Sequence, residues 1–201
     1  MPPKITIVGA GSAVFSLGLI RDLCLEPRLR GSRVCLMDID QGRLDAIAAL
    51  CRRYAAEVGA DLRIEQTTER GEALAGADFV VVTALAAGHD RLRAGWAVAE
   101  ARGYRFGGSL HVMHDEAFWI NFYQFRLFES LIEDILRVCP QAWYLKLDNP
   151  VLTGITYLGR KYPEAKIVGL CHGFSAVYKI ADVLGLDRAG LTYEIPGVNH
   201  F

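Results

Sequence analysis

Apolar residues along this chain follow two rhythms, short β-branched runs and longer stretches spaced for one face of a helix. Residues 4–8, KITIV, form a run of the first kind that breaks at Gly9-Ala10-Gly11-Ser12. From Val14 to Leu25 the apolar positions Phe15, Leu19 and Leu23 recur at helical spacing, with Arg21 and Asp22 opposite. Pro27 and Gly31 close that segment. Residues 33–37, RVCLM, predict a second strand that ends on Asp38-Ile39-Asp40, and residues 41–58 a helix presenting Leu44, Ile47, Leu50, Cys51 and Tyr54 on one side, stopped by Gly59. A third strand over 62–66, a short helix over 70–75 and a fourth strand over 78–83 follow. The fourth, DFVVVT, is apolar on both faces, as a strand must be when helices cover both sides of a parallel sheet.

The second half repeats the pattern. A helix is predicted over 116–138, a strand over 142–147, a helix over 151–161, a strand over 166–171, a helix over 174–184 and a last strand over 191–195. Only 84–115 departs from it, with Gly88, Gly95, Gly103, Gly107 and Gly108 among His89, His111 and His114. A polar stretch of that length after a strand is expected to be a binding loop that contains a helix. The fold class is therefore α/β: a Rossmann-like doubly wound, mostly parallel sheet with helices on both faces. The chain divides into a mononucleotide-binding half over 1–83, the insertion over 84–115, and a second half over 116–201.

Charge and cysteine placement narrow the chemistry. Lys and Arg number 22 against 23 Asp and Glu, a formal charge of -1, with no long basic block. Nucleic-acid binding by counterion release needs clustered positive charge, so a small molecule is the expected partner. The chain's 52% hydrophobic share of 201 residues supplies a sizeable core. Cys24, Cys35, Cys51, Cys139 and Cys171 are odd in number and never form a CxxC pair, against both a disulfide scaffold and a structural zinc site. The start, Met1-Pro2-Pro3-Lys4, runs directly into a strand without the features of a signal peptide. No apolar run reaches the length that spans a bilayer, and the expected location is the cytoplasm, with no membrane partner.

Two sets of residues carry candidate chemistry. Gly9-x-Gly11 lies between a strand and a helix. There Gly9 allows the tight turn, Gly11 removes a Cβ that would hold a pyrophosphate off the backbone, and the helix N-terminus faces the phosphates. The third glycine of that fingerprint would fall at Val14, so helix and strand are expected to pack less closely there, or the spacing is a variant. Asp38, ending the second strand, is placed to accept bonds from ribose hydroxyls and to reject a 2′-phosphate, which favours NAD over NADP; Asp40 is a weaker candidate. The other reading of these residues is an ordinary βα turn and a solvated acid. Further on, Asp148-Asn149-Pro150, Cys171-His172-Gly173 and Gly197-Val198-Asn199-His200 each follow an apolar strand, and in a parallel sheet such positions share one edge. A thiolate and an imidazole there would suit a borderline divalent metal with open positions. A buried structural thiol at Cys171 and a surface histidine at His200 are the alternatives.

The ordered series GAGSAVF, LMDID, GADFVVVTA, RVCPQAWYLKLDNP, KIVGLCHG and GVNHF resembles glycoside hydrolase family 4 in order and spacing, over essentially the whole chain. It is most similar to the branch acting on α-glucosides, α-galactosides and α-linked uronides. The resemblance implies an NAD- and Mn2+-dependent hydrolysis of a carbohydrate substrate by oxidation at C3, elimination and water addition, rather than by paired carboxylates. It assigns Cys171 and His200 as metal ligands, Asn149 to the sugar hydroxyls, and Gly9, Gly11, Ser12 and Asp38 to the cofactor. His172 stands where some members carry an aspartate proposed as general acid, so the acid is His172 or a residue elsewhere. His111, His114, Asp115 and Glu116 are candidate sugar contacts. Cys-His-Gly followed by Phe174 resembles members that handle unphosphorylated α-glycosides. The stretch 104–123 resembles the galacturonidase or glucuronidase branch, for whose carboxylate Arg91, Arg93, Arg102 and Arg105 are available. Family members extend well beyond the position of His200, and their C2 base is a tyrosine in that later part. The expectation is an amino-terminal cofactor domain without its substrate-covering domain, from a protein that is a homo-oligomer at full length. Two rivals remain: an NAD-dependent dehydrogenase of a 2-hydroxy acid or sugar, and a dinucleotide-binding remnant without turnover.

Overall fold

A computed structural model of the chain describes residues 1–86, 88–103, 118–171 and 174–194. Its elements run β1 (Lys4–Val8), α1 (Ala13–Leu25), β2 (Arg33–Met37), α2 (Gln41–Glu57), β3 (Arg63–Thr67), α3 (Arg70–Leu74) and β4 (Phe79–Val82). There follow α4 (Gly88–Ala101), α5 (Phe118–Val138), β5 (Trp143–Lys146), α6 (Val151–Lys161), β6 (Ile167–Gly169) and α7 (Ser175–Leu184). The strands form one sheet in the order β3-β2-β1-β4-β5-β6, parallel throughout. Crossing from β3 back to β4 places the reversal of strand order between β1 and β4. That is the doubly wound arrangement expected from the apolar rhythm.

Strand alternation feeds two cores. Ile5 and Ile7 of β1, Val34 and Leu36 of β2 and Val81 of β4 face α1 and α2, where Ile20, Leu44, Ile47, Ala48 and Cys51 meet them. Val8, Cys35, Met37, Val80, Val82 and Tyr144 face the other side and pack on Ala73 and Leu74 of α3, Phe128, Leu131, Ile132 and Ile135 of α5 and Leu158 of α6. A fully buried Ile or Leu contributes about 1.5–3 kcal/mol, and a one-residue slip would move every such side chain to the wrong face. The register is accordingly tight: Val8 pairs Met37 and Val82, Met37 pairs Thr67, Val82 pairs Lys146, and Lys146 pairs Gly169. The strands thus end in line, and the segments that follow them share one edge.

Local structure corrects several sequence expectations. In α1 the inward residues are Ser16 and Ile20, with Leu17, Leu19, Leu23 and Cys24 partly buried, while Phe15 is exposed. The face is rotated because Ser16, fully buried, donates its hydroxyl to Ala10 O at 2.8 Å and draws its own side of the helix onto the turn. Val14 is 84% exposed, so no small residue is needed at that position for close packing. In α2 the expected Leu50 is exposed and Ala48 and Ala55 are buried instead, since small side chains let the helix approach the sheet. Leu191–Glu194 are not a strand; they follow a single 3-10 turn at Arg188–Gly190, where Tyr193 meets Tyr178 edge-on at 6.0 Å instead of a sheet edge. Position 195 of that expected strand lies outside the described residues.

Candidate functional site

The crevice at the strand-order reversal is built first by the turn after β1. Gly9 has φ +90°, and a Cβ there would lie 2.6 Å from Ala84 N and 2.7 Å from Ala84 Cα. The chain leaving β4 crosses that close. Thr83 secures the crossing, its amide donating to Val8 O at 2.9 Å and its hydroxyl to Gly9 O at 3.2 Å. The amides of Gly9 and Ala10 both donate to Met37 O, at 2.9 and 3.0 Å, so the turn is tied to the end of β2 as well.

Asp38 is the next piece. Its Oδ2 accepts the Gly11 amide at 2.7 Å and its Oδ1 the Asp40 amide at 3.0 Å. A Cβ on Gly11 would sit 2.8 Å from that Oδ2, so Gly11 is required by the approach of the carboxylate. Asp40 serves the helix that follows it, since as the N-cap of α2 it accepts the Arg43 amide at 3.0 Å. At the start of α1 the N-cap Ser12 makes no side-chain capping bond and no acidic residue stands in the first turn. The amide end of a 13-residue helix is therefore left for an anion. These residues fit a dinucleotide: Gly9, Gly11 and Ser12 could hold the pyrophosphate and Asp38 a ribose.

On the other side of the reversal, β5 leads into Lys146-Leu147-Asp148-Asn149-Pro150, with the Asn149-Pro150 peptide cis. Lys146 and Asp148 are buried and form an ion pair at 3.1 Å. Lys146 Nζ also donates to the carbonyls of Asp148 and Pro150, the latter at 3.0 Å, and lies 3.6 Å from the centre of the Phe128 ring. A Cβ at Gly154 would strike the end of the Lys146 side chain, so any larger residue there would displace the ammonium from its partners. Gln124 of α5 donates to Asp148 Oδ2 at 3.1 Å and Ala84 O at 2.9 Å, and accepts the Ala86 amide at 2.7 Å. Burial pushes the Asp148 carboxyl up to about 6, against the opposing pull of Lys146. The Tyr144 hydroxyl, one strand-face repeat before Lys146, is buried with no hydrogen-bond partner among the described residues. Sequence reasoning missed Gln124, Lys146 and Asp148 as a set. The available signal was Lys146 two residues from Asp148 in an otherwise apolar strand.

With that geometry in place, the sequence profile of a family described as Family 4 glycosyl hydrolase matches residues 4–186. The chain belongs to this family. An α-glucosidase of Erwinia rhapontici is 27% identical over 211 residues, covering 100% of this chain and 45% of the relative. An α-galactosidase of Bacillus subtilis is also 27% identical, over 98% of this chain and 46% of the relative. Equal identity to two enzymes named for different sugars selects neither. A solved 6-phospho-α-glucosidase from gut microorganisms, in complex with NAD and Mn2+, superposes with a TM-score of 0.80 at 20% identity, over 93% of this chain and 42% of that one. It shares the fold. The chain spans less than half the length of these relatives.

Within this family 4 chain, Asn149 and Cys171 both follow strand ends on the crevice edge, and Leu170 N donates to Lys146 O at 2.9 Å just before the cysteine. Cys171 is half-buried. His172 and His200 lie outside the described residues, as do His111, His114, Asp115, Glu116, Arg105 and the side chain of Arg91. Of the expected metal pair, then, Cys171 is the member the structure describes. Among the described residues no three His, Cys, Asp or Glu side chains form a metal-holding group, and no helix is long and apolar enough to cross a membrane. Of the arginines offered for a sugar carboxylate, Arg93 pairs at 3.2 Å with Asp90 on α4, both side chains exposed, and Arg102 is exposed past its end.

Proposed function

We propose that this chain is the cofactor-binding part of a family 4 glycosidase that hydrolyses an α-glycoside or α-uronide by NAD-dependent oxidation at C3, elimination and water addition. The observation that carries the reading is the joint placement, at the β1–β4 reversal, of the Gly9–Gly11 turn, the open end of α1, Asp38 and Asn149. The α-glucosidase and α-galactosidase relatives support the sugar class. When bound, NAD supplies a hydride acceptor and Mn2+ a positive charge beside sugar oxygens, which no side chain provides.

The chain's own residues divide the remaining roles. Gly9, Gly11 and Ser12 seat the pyrophosphate against the α1 amides, and Asp38 accepts from the adenosine ribose. Asn149 holds sugar hydroxyls at the second half of the crevice. Cys171 with His200 would hold the metal, and His172 is the candidate donor of a proton to the leaving oxygen. The family resemblance makes the base that takes the C2 proton a tyrosine at a position that none of Tyr144, Tyr157, Tyr178 and Tyr193 matches, and the contacts of these four serve the fold. Tyr144 is in the core, Tyr157 donates to Glu129, and Tyr178 and Tyr193 meet each other at 3.4 Å. Because the relatives run to more than twice the matched length, we assign that base and the cover over the sugar to the part of the family that this chain does not span.

The test is NMR of the sugar released in D₂O. The 201-residue chain with NAD, Mn2+ and a thiol reductant is expected to show no turnover. A protein carrying this chain together with the covering part is expected to release sugar deuterated at C2. Turnover by the short chain would contradict the placement of the base, and hydrolysis without C2 deuterium would end the redox reading.

A further inference from the structure

The buried polar residues of the β5 side have no part in the chemistry proposed for the crevice. We propose that Gln124, Lys146 and Asp148 form a positioning network that locks the exit loops of β4 and β5 to each other and so fixes the nicotinamide half of the crevice, including Asn149. The proposal rests on the cofactor reading for its consequence, though the locking itself is independent of it.

Two clamps make up the network. Lys146 directs its ammonium to Asp148 Oδ1 at 3.1 Å and to the carbonyls on either side of Asn149, those of Asp148 and Pro150. One cation therefore holds the loop before and after the residue assigned to the sugar. Gln124 is the second clamp. It reaches 24 residues along the chain to Asp148 and 38 and 40 residues back to Ala86 and Ala84, using its acceptor on the Ala86 amide and its donors on Ala84 O and Asp148 Oδ2. The loop it grips is the one that crosses Gly9. All three side chains are buried. A buried lysine and aspartate without a full set of partners would be strongly destabilising, and an apolar core would fill the same space at less electrostatic cost. Fixed geometry is what such a network provides in exchange. A dinucleotide crosses the reversal with its adenosine half on the β1–β2 side and its other nucleotide half on the β4–β5 side, so the second half leans on both clamps while the first meets the network only where Ala84 passes Gly9.

The experiment separates the two halves. In Gln124→Met, which keeps side-chain volume but loses all three bonds, calorimetry is expected to show NAD binding about tenfold weaker, the loss of roughly one hydrogen bond's positioning, with ADP affinity changed less than about twofold. Hydrogen exchange in the same protein should quicken in the Asp148–Val151 segment, to which Gln124 is bonded through the Asp148 carboxylate. In the reciprocal variant Asp148→Asn, the Ala86 amide should lose protection although Asp148 does not bond it. Equal weakening of NAD and ADP, or no weakening of either, overturns the proposal, as does unchanged exchange in both segments. If the unmodified chain binds neither nucleotide, the cofactor reading fails, and the two exchange measurements still decide whether the loops are locked. Gln124→Met leaves the Lys146–Asp148 pair in place, so it stays informative if Asp148→Asn does not fold.

Discussion

Asp38 has both carboxylate oxygens engaged by main-chain amides, Gly11 on Oδ2 and Asp40 on Oδ1. A carboxylate offers about four acceptor positions, so two remain for the ribose hydroxyls of the proposed cofactor. Asp38→Ala is therefore expected to lose the tether on Gly11 and, on the proposed reading, the ribose bonds with it. Calorimetry should find NAD bound about tenfold more weakly, and the preference over NADP narrowed. Tighter binding of NADP by the unmodified chain would remove Asp38 from the site. Gly9 makes a steric rather than a polar demand. Its neighbours across the crevice are the backbone atoms Ala84 N and Cα, which cannot swing aside, and its φ of +90° is one that L side chains rarely adopt. Gly9→Ala is expected to cost about 2 kcal/mol or more in urea unfolding, and an unchanged midpoint would refute the close crossing.

At the scale of elements, the seam between α5 and α6 is polar on its outer side. Glu129 accepts from both Tyr157 and Lys161, and Glu133 accepts the Tyr162 hydroxyl at 2.7 Å. The Lys161 ammonium, and then the Tyr157 hydroxyl, hold the Glu129 carboxyl below the usual range. A carboxyl whose folded pKa is depressed contributes stability that is present above its unfolded pKa and is lost as pH falls through the folded one. Glu129→Gln should therefore destabilise by up to about 1 kcal/mol at neutral pH, the scale of a solvent-screened pair. That difference should shrink as pH drops below about 4, seen by thermal unfolding of both proteins across acid pH. A difference that grows in acid would reverse the assignment. The same scale shows where periodicity misleads. In α1 it points to Phe15, because size and spacing are visible in a sequence. The hydroxyl bond from Ser16 to Ala10 that sets the inward face is not visible there.

For the whole molecule, the alternation of β-branched runs with helical stretches is enough to read the parallel doubly wound sheet, since central strands that are apolar on both faces, such as β1 and β4, need helices on both sides to cover them. The Gly9–Gly11 turn and Asp38 are legible for a related reason: they lie within one βαβ unit, and local order dictates their neighbours. Gln124 is not legible. Its three bonds join positions that only the tertiary fold brings together, and within the 116–138 helical stretch it reads as one more polar residue. Asp148 stands beside Asn149 in a motif that draws the eye, yet its value lies in Lys146 beneath it, which the strand pattern marks only as an anomaly.

The outermost strands bear on how the molecule behaves in a crowded solution. β3, RIEQT, sets Arg63 and Glu65 along its length, and Glu65 is bridged to Arg33 at 3.1 Å; β6, at the far end, has only three residues, the last of them Gly169. Unpaired strand edges recruit other strands, and charge on one edge and brevity at the other are the means by which sheets discourage that. Among the described residues, the sheet thus keeps its apolar strands in the middle and puts at its margins the two features that discourage strand addition, without closing into a barrel.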